Sequence, residues 1–149
     1  MFGWNGHFLK INLSKNKAVA DSYDSSFAFN YLGGRGFAAK ILWDNLKPGT
    51  DPLSPDNNLV FAAGPLTGFG FPNSGKLVVA ARSPLTGGYG DGNIGTHAAI
   101  QMRKAGYDAV VIEGKAKTPV FLHIRDKTAE FADAHGFCEL SQSERSVCF

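Results

Sequence analysis

GPLTGFGFPNSGKLVVAARSPLTGGYGDGNIG, residues 64–95, holds nine of the chain's 18 glycines and uses the tetrapeptide PLTG twice, at Pro65 to Gly68 and Pro84 to Gly87. Leu59 to Ala63 is an apolar run entering the first PLTG, and Lys76 to Ala81 is another entering the second. This pattern predicts strand, tight turn, strand, tight turn, because proline at the second turn position presets φ near −65° and glycine closes the corner. A segment so poor in side chains also lets backbone N–H groups approach a bulky polar ligand, phosphate oxygens among them. Cradling phosphates and turning corners are therefore both open uses of the same glycines.

Upstream, His7 to Leu13 alternates, with Leu9, Ile11 and Leu13 on one face and Lys10 and Asn12 on the other. A two-residue period marks a half-buried strand, and with Ser14 to Lys17 as a polar turn, Ala18 to Tyr23 returns as its hairpin partner. Asp24, Ser25 and Ser26 are capping residues for a short helix over Phe27 to Leu32, stopped at Gly33 and Gly34. Phe37, Ala38, Ile41 and Leu42 recur at helical spacing, which predicts an amphipathic helix packed on a sheet, and Asp51 to Pro55 is loop. Downstream, Thr96 to Ala105 is a helix with Gly106 as its stop. Val110 to Glu113, Val120 to Ile124 and Thr128 to Phe131 are further strands, the last two pairing across Asp126 and Lys127.

Strands and helices do not alternate strictly, and several connections have hairpin length. The fold class is therefore α+β, with mostly antiparallel sheets and two or three helices. From Phe137 onward the pattern dissolves into a polar tail of no resolved period, so the domain is expected over residues 1–136 and the tail over 137–149.

A chain of 149 residues fits one domain, and at this size about 68–70% of the unfolded surface is removed from water. Its 15 basic and 13 acidic side chains nearly cancel. No basic run or basic helix face suggests a nucleic-acid or membrane surface. No apolar run approaches the ~20 residues of a membrane span, and Met1 to Lys10 lacks the pattern of a signal peptide. The expected location is cytoplasmic. Cys138 and Cys148 are the only cysteines and, with no clustered histidines, are expected to be two reduced thiols.

The sharpest local string is Gly90-Asp91-Gly92-Asn93-Ile94-Gly95, a literal G-x-G-x-x-G ahead of the helix at Thr96, with Glu113 about 20 residues later where a dinucleotide fold places its ribose-binding acid. The context is poor, since Ser83 to Tyr89 separates the motif from the preceding strand and no βαβ unit comes before it. A more general expectation survives: a helix starting at Asn93 to Thr96 presents free N–H groups and partial positive charge to a phosphate. The alternative is that Asn93 or Thr96 caps the helix and Asp91 completes a turn. Lys76, after Pro72-Asn73-Ser74-Gly75, can give one mobile charge to an anion, and Arg82 is a second candidate. His7, His97, His123 and His135 form no ligand pair at helical spacing, and only His97 lies in the glycine-rich neighbourhood.

The opening Met1-Phe2-Gly3-Trp4-Asn5-Gly6 with the strand Leu9 to Leu13, YLGGRGFA at Tyr31 to Ala38, DPLSP at Asp51 to Pro55, AAGPLTG at Ala62 to Gly68, SPLTG at Ser83 to Gly87 and KAGYDAVVIEGKA at Lys104 to Ala116 occur in a fixed order. Together, from about Met1 to Ala134, they resemble the N-terminal domain of the tungsten-dependent aldehyde:ferredoxin oxidoreductases. The resemblance implies a mostly antiparallel α+β base of two related sheets, carrying a tungsten bis-pterin cofactor whose phosphates are bridged by magnesium. It implies that Asn93 gives magnesium its backbone carbonyl and that Ile94, Gly95 and Thr96 lie beside the phosphates. It also implies that Lys76, where many members carry arginine, contacts the pterin, keeping the charge without the bidentate fork. No catalytic acid or base falls in this domain.

Members run to several hundred residues, and the four-iron four-sulfur cluster and the acid/base residues lie beyond the N-terminal domain. The chain is thus expected to be one part of an enzyme, inactive alone, whose full assembly oxidises an aldehyde to a carboxylic acid and passes electrons to ferredoxin. A related possibility is reduction of an aromatic thioester. From another class comes a non-catalytic structural or interaction subunit, its apolar surface at Phe69 and Phe71 covered by further domains, subunits or a second copy. A third reading is a nicotinamide-binding domain, which requires a strand ending at Tyr89.

Overall fold

The computed structural model describes residues 2–125 and 128–134. Strands β1 (His7–Asn12) and β2 (Lys17–Ser22) form the expected opening hairpin, with Leu9 opposite Ala20 and Ile11 opposite Ala18. Helix α1 (Ser25–Tyr31) starts at Asp24, whose carboxylate accepts from the Phe27 N–H at 2.8 Å. Helix α2 (Arg35–Asn45) buries Phe37, Ala38, Ile41 and Leu42, the face set by its apolar spacing. Gly36 is obligatory at the corner between these helices, because a Cβ there would overlap the Tyr31 carbonyl oxygen.

Strands β3 (Leu59–Ala63) and β4 (Lys76–Arg82) run into the two PLTG turns. In the first, Thr67 N–H donates to Gly64 O at 3.1 Å, and in the second Gly87 N–H donates to Ser83 O at 2.8 Å, with Gly87 at φ 70°. The next element departs from expectation. Tyr89–Gly95, the segment carrying G-x-G-x-x-G, is strand β5, paired antiparallel with β4 along its whole length from Lys76↔Gly95 to Arg82↔Tyr89. The helix that follows, α3 (His97–Lys104), starts only after Thr96, and the chain continues through β6 (Ala109–Glu113) to a hairpin of β7 (Val120–Arg125) and β8 (Thr128–Asp133). Strand β2 stops at Ser22, one residue short of Tyr23.

The described residues make a six-stranded sheet in the order β2-β1-β6-β3-β4-β5 and a two-stranded sheet β7-β8. Four of the five pairings in the large sheet are antiparallel; β1 with β6 is parallel. That pairing joins the start of the domain to its last large-sheet strand.

One face of the sheet is covered by α1 and α2, where Phe8, Phe37, Val60, Val78 and Val111 form a core. Each such side chain, once buried, contributes about 1.5–3 kcal/mol. Tyr23 and Phe27 complete an aromatic cluster around Phe8, with ring centroids 4.4 and 5.5 Å away. The opposite face carries a second core of Leu9, Ile11, Tyr107 and Val110, on which Met102, Leu122 and Phe131 pack. An apolar cleft of about 340 Å³ opens there between sheet, α3 and hairpin.

The tail over 137–149, with Cys138, Cys148 and also His135, lies outside the described residues. No helix among the described residues is long and apolar enough to cross a membrane.

Candidate functional site at the glycine-rich sheet edge

Among the described residues, strand β5 has β4 on one side and nothing paired on the other. Thr96 N–H donates to Gly75 O at 2.9 Å, and at the far end of the ladder Ser83 N–H donates to Gly88 O at 2.8 Å. Hydrogen-bonded pairs in an antiparallel ladder alternate with pairs whose N–H and C=O point away from the partner. Ile94, Gly92 and Gly90 therefore turn their backbone groups toward β4, while Asp91, Asn93 and Gly95 turn theirs out of the free edge. The Asn93 carbonyl and the Gly95 amide are thus offered to whatever approaches that edge.

Lys76 stands opposite Gly95, and its Nζ lies 3.7 Å from where a Cβ on Gly95 would sit. The ammonium thus lies within van der Waals reach of the bare strand at Gly95. Gly75 is the more tightly enclosed glycine, since a Cβ there would come within 3.1 Å of Thr96 O. Lys76, Gly95 and Thr96 line a cleft of about 430 Å³ with Asn73, Ser74 and Phe71 around it.

The structure places the five expected cofactor-binding residues along one edge but brings only Lys76, Gly95 and Thr96 into this cleft. Asn93 pairs with Val78, whose side chain is in the α2-side core, and Ile94 pairs with Leu77 and is half exposed. Of the helix start expected from Asn93 to Thr96, only Thr96 stands at the helix end, and Asn93, Ile94 and Gly95 belong to β5. Thr96 is the cap of α3: its Oγ1 accepts from Ala98 N–H at 3.2 Å, and its own N–H is taken by Gly75. What Thr96 has left to give is its hydroxyl hydrogen.

Asp91 does not complete a turn either. It lies in β5 opposite Ala80 and is ion-paired to Arg35, the first residue of α2. The pair escapes a reading of the sequence because its partners are 56 positions apart. Arg82, the other candidate cation, donates through Nε to Gly87 O at 2.8 Å and so braces the second PLTG turn. The dinucleotide reading loses its frame, because its glycines need a strand–turn–helix context and a strand instead begins at Tyr89 and runs through them.

A second group of residues holds the segments that shape the edge. Asp108, fully buried, accepts from Asn5 N–H and Gly6 N–H at 2.8 Å, from the Tyr23 hydroxyl and from Arg103. Arg103 also donates to Gly3 O at 2.8 Å, and Trp4 Nε1 donates to Leu32 O at 2.7 Å. Burial lowers the pKa of Arg103 and pushes the Tyr23 phenol up to about 12. This cluster ties the opening MFGWNG to KAGYDA and the helical corner. Among the described residues no group of three or more His, Cys, Asp or Glu is arranged to hold a metal ion.

Residues 8–146 match the family model described as aldehyde ferredoxin oxidoreductase, N-terminal domain. The chain belongs to that family. It is 43% identical over 134 residues to the tungsten-containing aldehyde ferredoxin oxidoreductase of Pyrococcus furiosus, a match covering 90% of this chain and 22% of the relative. The aliphatic sulfonate oxidoreductase WOR-like subunit of the same organism is 34% identical over 137 residues, with the same 90% and 22% coverage. The active-site complex BamBC of benzoyl coenzyme A reductase, solved with 1,5-dienoyl-CoA, superposes with a TM-score of 0.93 at 32% identity, over 99% of this chain and 22% of that one. This aldehyde ferredoxin oxidoreductase N-terminal domain thus spans 22% of the length of the relatives it matches. The family match runs past Ala134 to residue 146, into the segment read from sequence as a tail.

Proposed function

We propose that this domain is the base on which a tungsten bis-pterin cofactor rests, within an oxidoreductase that converts aldehydes to carboxylic acids. The observation that carries the reading is the free edge of β5, where the register turns the Asn93 carbonyl and the Gly95 N–H outward beside the Lys76 ammonium. A carbonyl oxygen suits magnesium, and an amide with a lysine suits phosphate oxygens. The residues present therefore fit a magnesium-bridged pair of pterin phosphates. Gly92, opposite Val79, has nothing within 4 Å of its absent Cβ, so that face of the edge is also open.

The five residues have unequal roles in this reading. Asn93 ligates magnesium through its backbone carbonyl. Gly95 donates its N–H, Lys76 neutralises phosphate charge, and Thr96 donates its hydroxyl. Ile94 spends its N–H and C=O on β4 and contributes only its side chain. When bound, the cofactor supplies the two-electron step in which an aldehyde and water become a carboxylic acid, two protons and two electrons. The chain's own residues bind and orient, and none is placed as a catalytic acid or base. The electrons go to ferredoxin through a four-iron four-sulfur cluster held elsewhere in the assembly, and the apolar rim at Phe69 and Phe71 meets the domains that complete the enzyme. The assembly works in the cytoplasm. The higher identity to the aldehyde oxidoreductase, 43% against 32% for the benzoyl coenzyme A reductase complex, favours aldehyde oxidation over aromatic thioester reduction.

The test is tungsten and pterin content of the assembled enzyme carrying Lys76→Met. Loss of one charge-assisted contact lowers retention about tenfold with the circular dichroism spectrum unchanged. Full tungsten and pterin occupancy in Lys76→Met would falsify the assignment of Lys76, and an assembled wild-type enzyme without tungsten or pterin would sink the whole reading.

A further inference from the structure

Two side chains bear on this edge without lying in its cleft. Gly90, Gly92 and Gly95 make up three of the seven residues of β5. Glycine brings a strand no side chain to pack and loses the most backbone entropy on ordering. Beyond its ladder with β4, β5 therefore has few side chains of its own to hold it. On the α2 side the strand has a further restraint, the ion pair from Arg35 Nε to Asp91 Oδ2. The Asp91 side chain is 16% exposed and that of Arg35 65%, so the carboxylate is the enclosed partner. The helix end carrying Arg35 is itself fixed, since Gly34 N–H donates to Ala63 O of β3 at 3.0 Å. Asp91 also shares the outward backbone orientation of Asn93 and Gly95, and it precedes Asn93 by two positions on the same face of the sheet.

We propose that the Arg35–Asp91 pair is a positioning clamp for the cofactor edge, fastening β5 to the amino end of α2 so that the Asn93 carbonyl and Gly95 amide stay in register with Lys76. The clamp rests on the reading of that edge as a magnesium and phosphate site. Neither residue contacts the bound group, and both act through the strand.

The experiment measures hydrogen exchange and the binding of magnesium pyrophosphate on the 149-residue chain and on its Arg35→Met, Asp91→Asn, double and Arg35→Lys variants. A partly exposed ion pair shifts a local opening equilibrium by about two- to fivefold. Gly92 and Ile94 amides are expected to exchange faster by that factor in either single variant, by the same factor and no more in the double variant, and near the wild-type rate in Arg35→Lys. Val60 and Val111, in the middle of the sheet, stay unchanged, and affinity for magnesium pyrophosphate falls in step with the β5 exchange. Unchanged exchange at Gly92 and Ile94, or an equal rise at Val60 and Val111, overturns the clamp. Undiminished pyrophosphate affinity in every variant overturns it as well. A wild-type chain that binds no magnesium pyrophosphate removes the site reading and the clamp together, which separates that failure from a failure of the clamp alone.

Discussion

Asp108 concentrates more long-range structure than its place in the sequence suggests. Its carboxylate gathers two backbone amides from Asn5 and Gly6, the Tyr23 hydroxyl and the Arg103 guanidinium, all with no solvent exposure of its own. Removing one member of a buried ion pair leaves the other uncompensated, at a cost of about 3–5 kcal/mol. Asp108→Ala is thus expected to lower the urea midpoint sharply, measured by circular dichroism, and a change under ~1 kcal/mol would show that the cluster is not structural. The Tyr23 phenol supplies a pH test of the same cluster. Burial raises its pKa to about 12, against about 10 for an unfolded tyrosine. The folded state then holds the proton more tightly, so this stabilisation is complete below pH 10 and is lost as the pH climbs from 10 toward 12. Burial also raises Tyr107, adding loss of the same sign. Tyr23→Phe should shallow the fall in urea midpoint above pH 10, and an unaltered slope would remove Tyr23 as its source. The KAGYDA string already marked this region in the sequence. What stayed hidden was the partner set, because Asp108 and Asn5 are 103 positions apart and no local pattern relates them.

At the scale of elements, most strands and helices were legible wherever side chains carried a period. The α2 stripe of Phe37, Ala38, Ile41 and Leu42 is buried as its spacing demanded, and the opening hairpin follows its alternation. Strand β5 was not legible, for a physical reason: three of its residues are glycine, which has no side chain to show alternation, and hydropathy periods are read from side chains. Its identity as a strand comes from the β4 partner, a tertiary contact. Helix α3 was legible to within one residue at each end, because Thr96 and Ala105, the expected limits, are its caps. Thr96→Ala should cost about 1 kcal/mol and speed exchange at Ala98, whose amide the hydroxyl accepts; equal stability would mean that the cap is replaceable by water. The α1–α2 corner is less forgiving. Gly36→Ala forces a methyl into the Tyr31 carbonyl, which must move both helices, and a loss of roughly 2 kcal/mol or more is expected, while a wild-type midpoint would show that the corner can relax.

For the whole molecule, the fold class followed from the sequence because hairpin-length connections and non-alternating elements leave few architectures open. The one parallel pairing among the described residues, β1 with β6, joins strands about a hundred residues apart and had no local trace. The candidate site was legible as a set of residues and not as a geometry. Lys76, Gly95 and Thr96 converge only because β4 and β5 pair in the register that sets Lys76 against Gly95. Beside that cleft Phe71, which lines it, Phe69 and Ile94 are exposed, and Phe69 and Phe71 are stacked at 6.5 Å. Exposed aromatic pairs beside a polar cleft mark a surface that another body covers. Under the proposed function that body is the remainder of the oxidoreductase, so the two phenylalanines become an interface anchor. Phe69→Ser with Phe71→Ser removes apolar contact area without touching the β4–β5 ladder. It should weaken association of this domain with the remaining domains by about tenfold or more, read by sedimentation of the two pieces expressed separately, while the urea midpoint of the domain itself stays put. Unimpaired association would place the covering surface elsewhere. Equal loss of domain stability would mean that the pair serves the fold and not the interface.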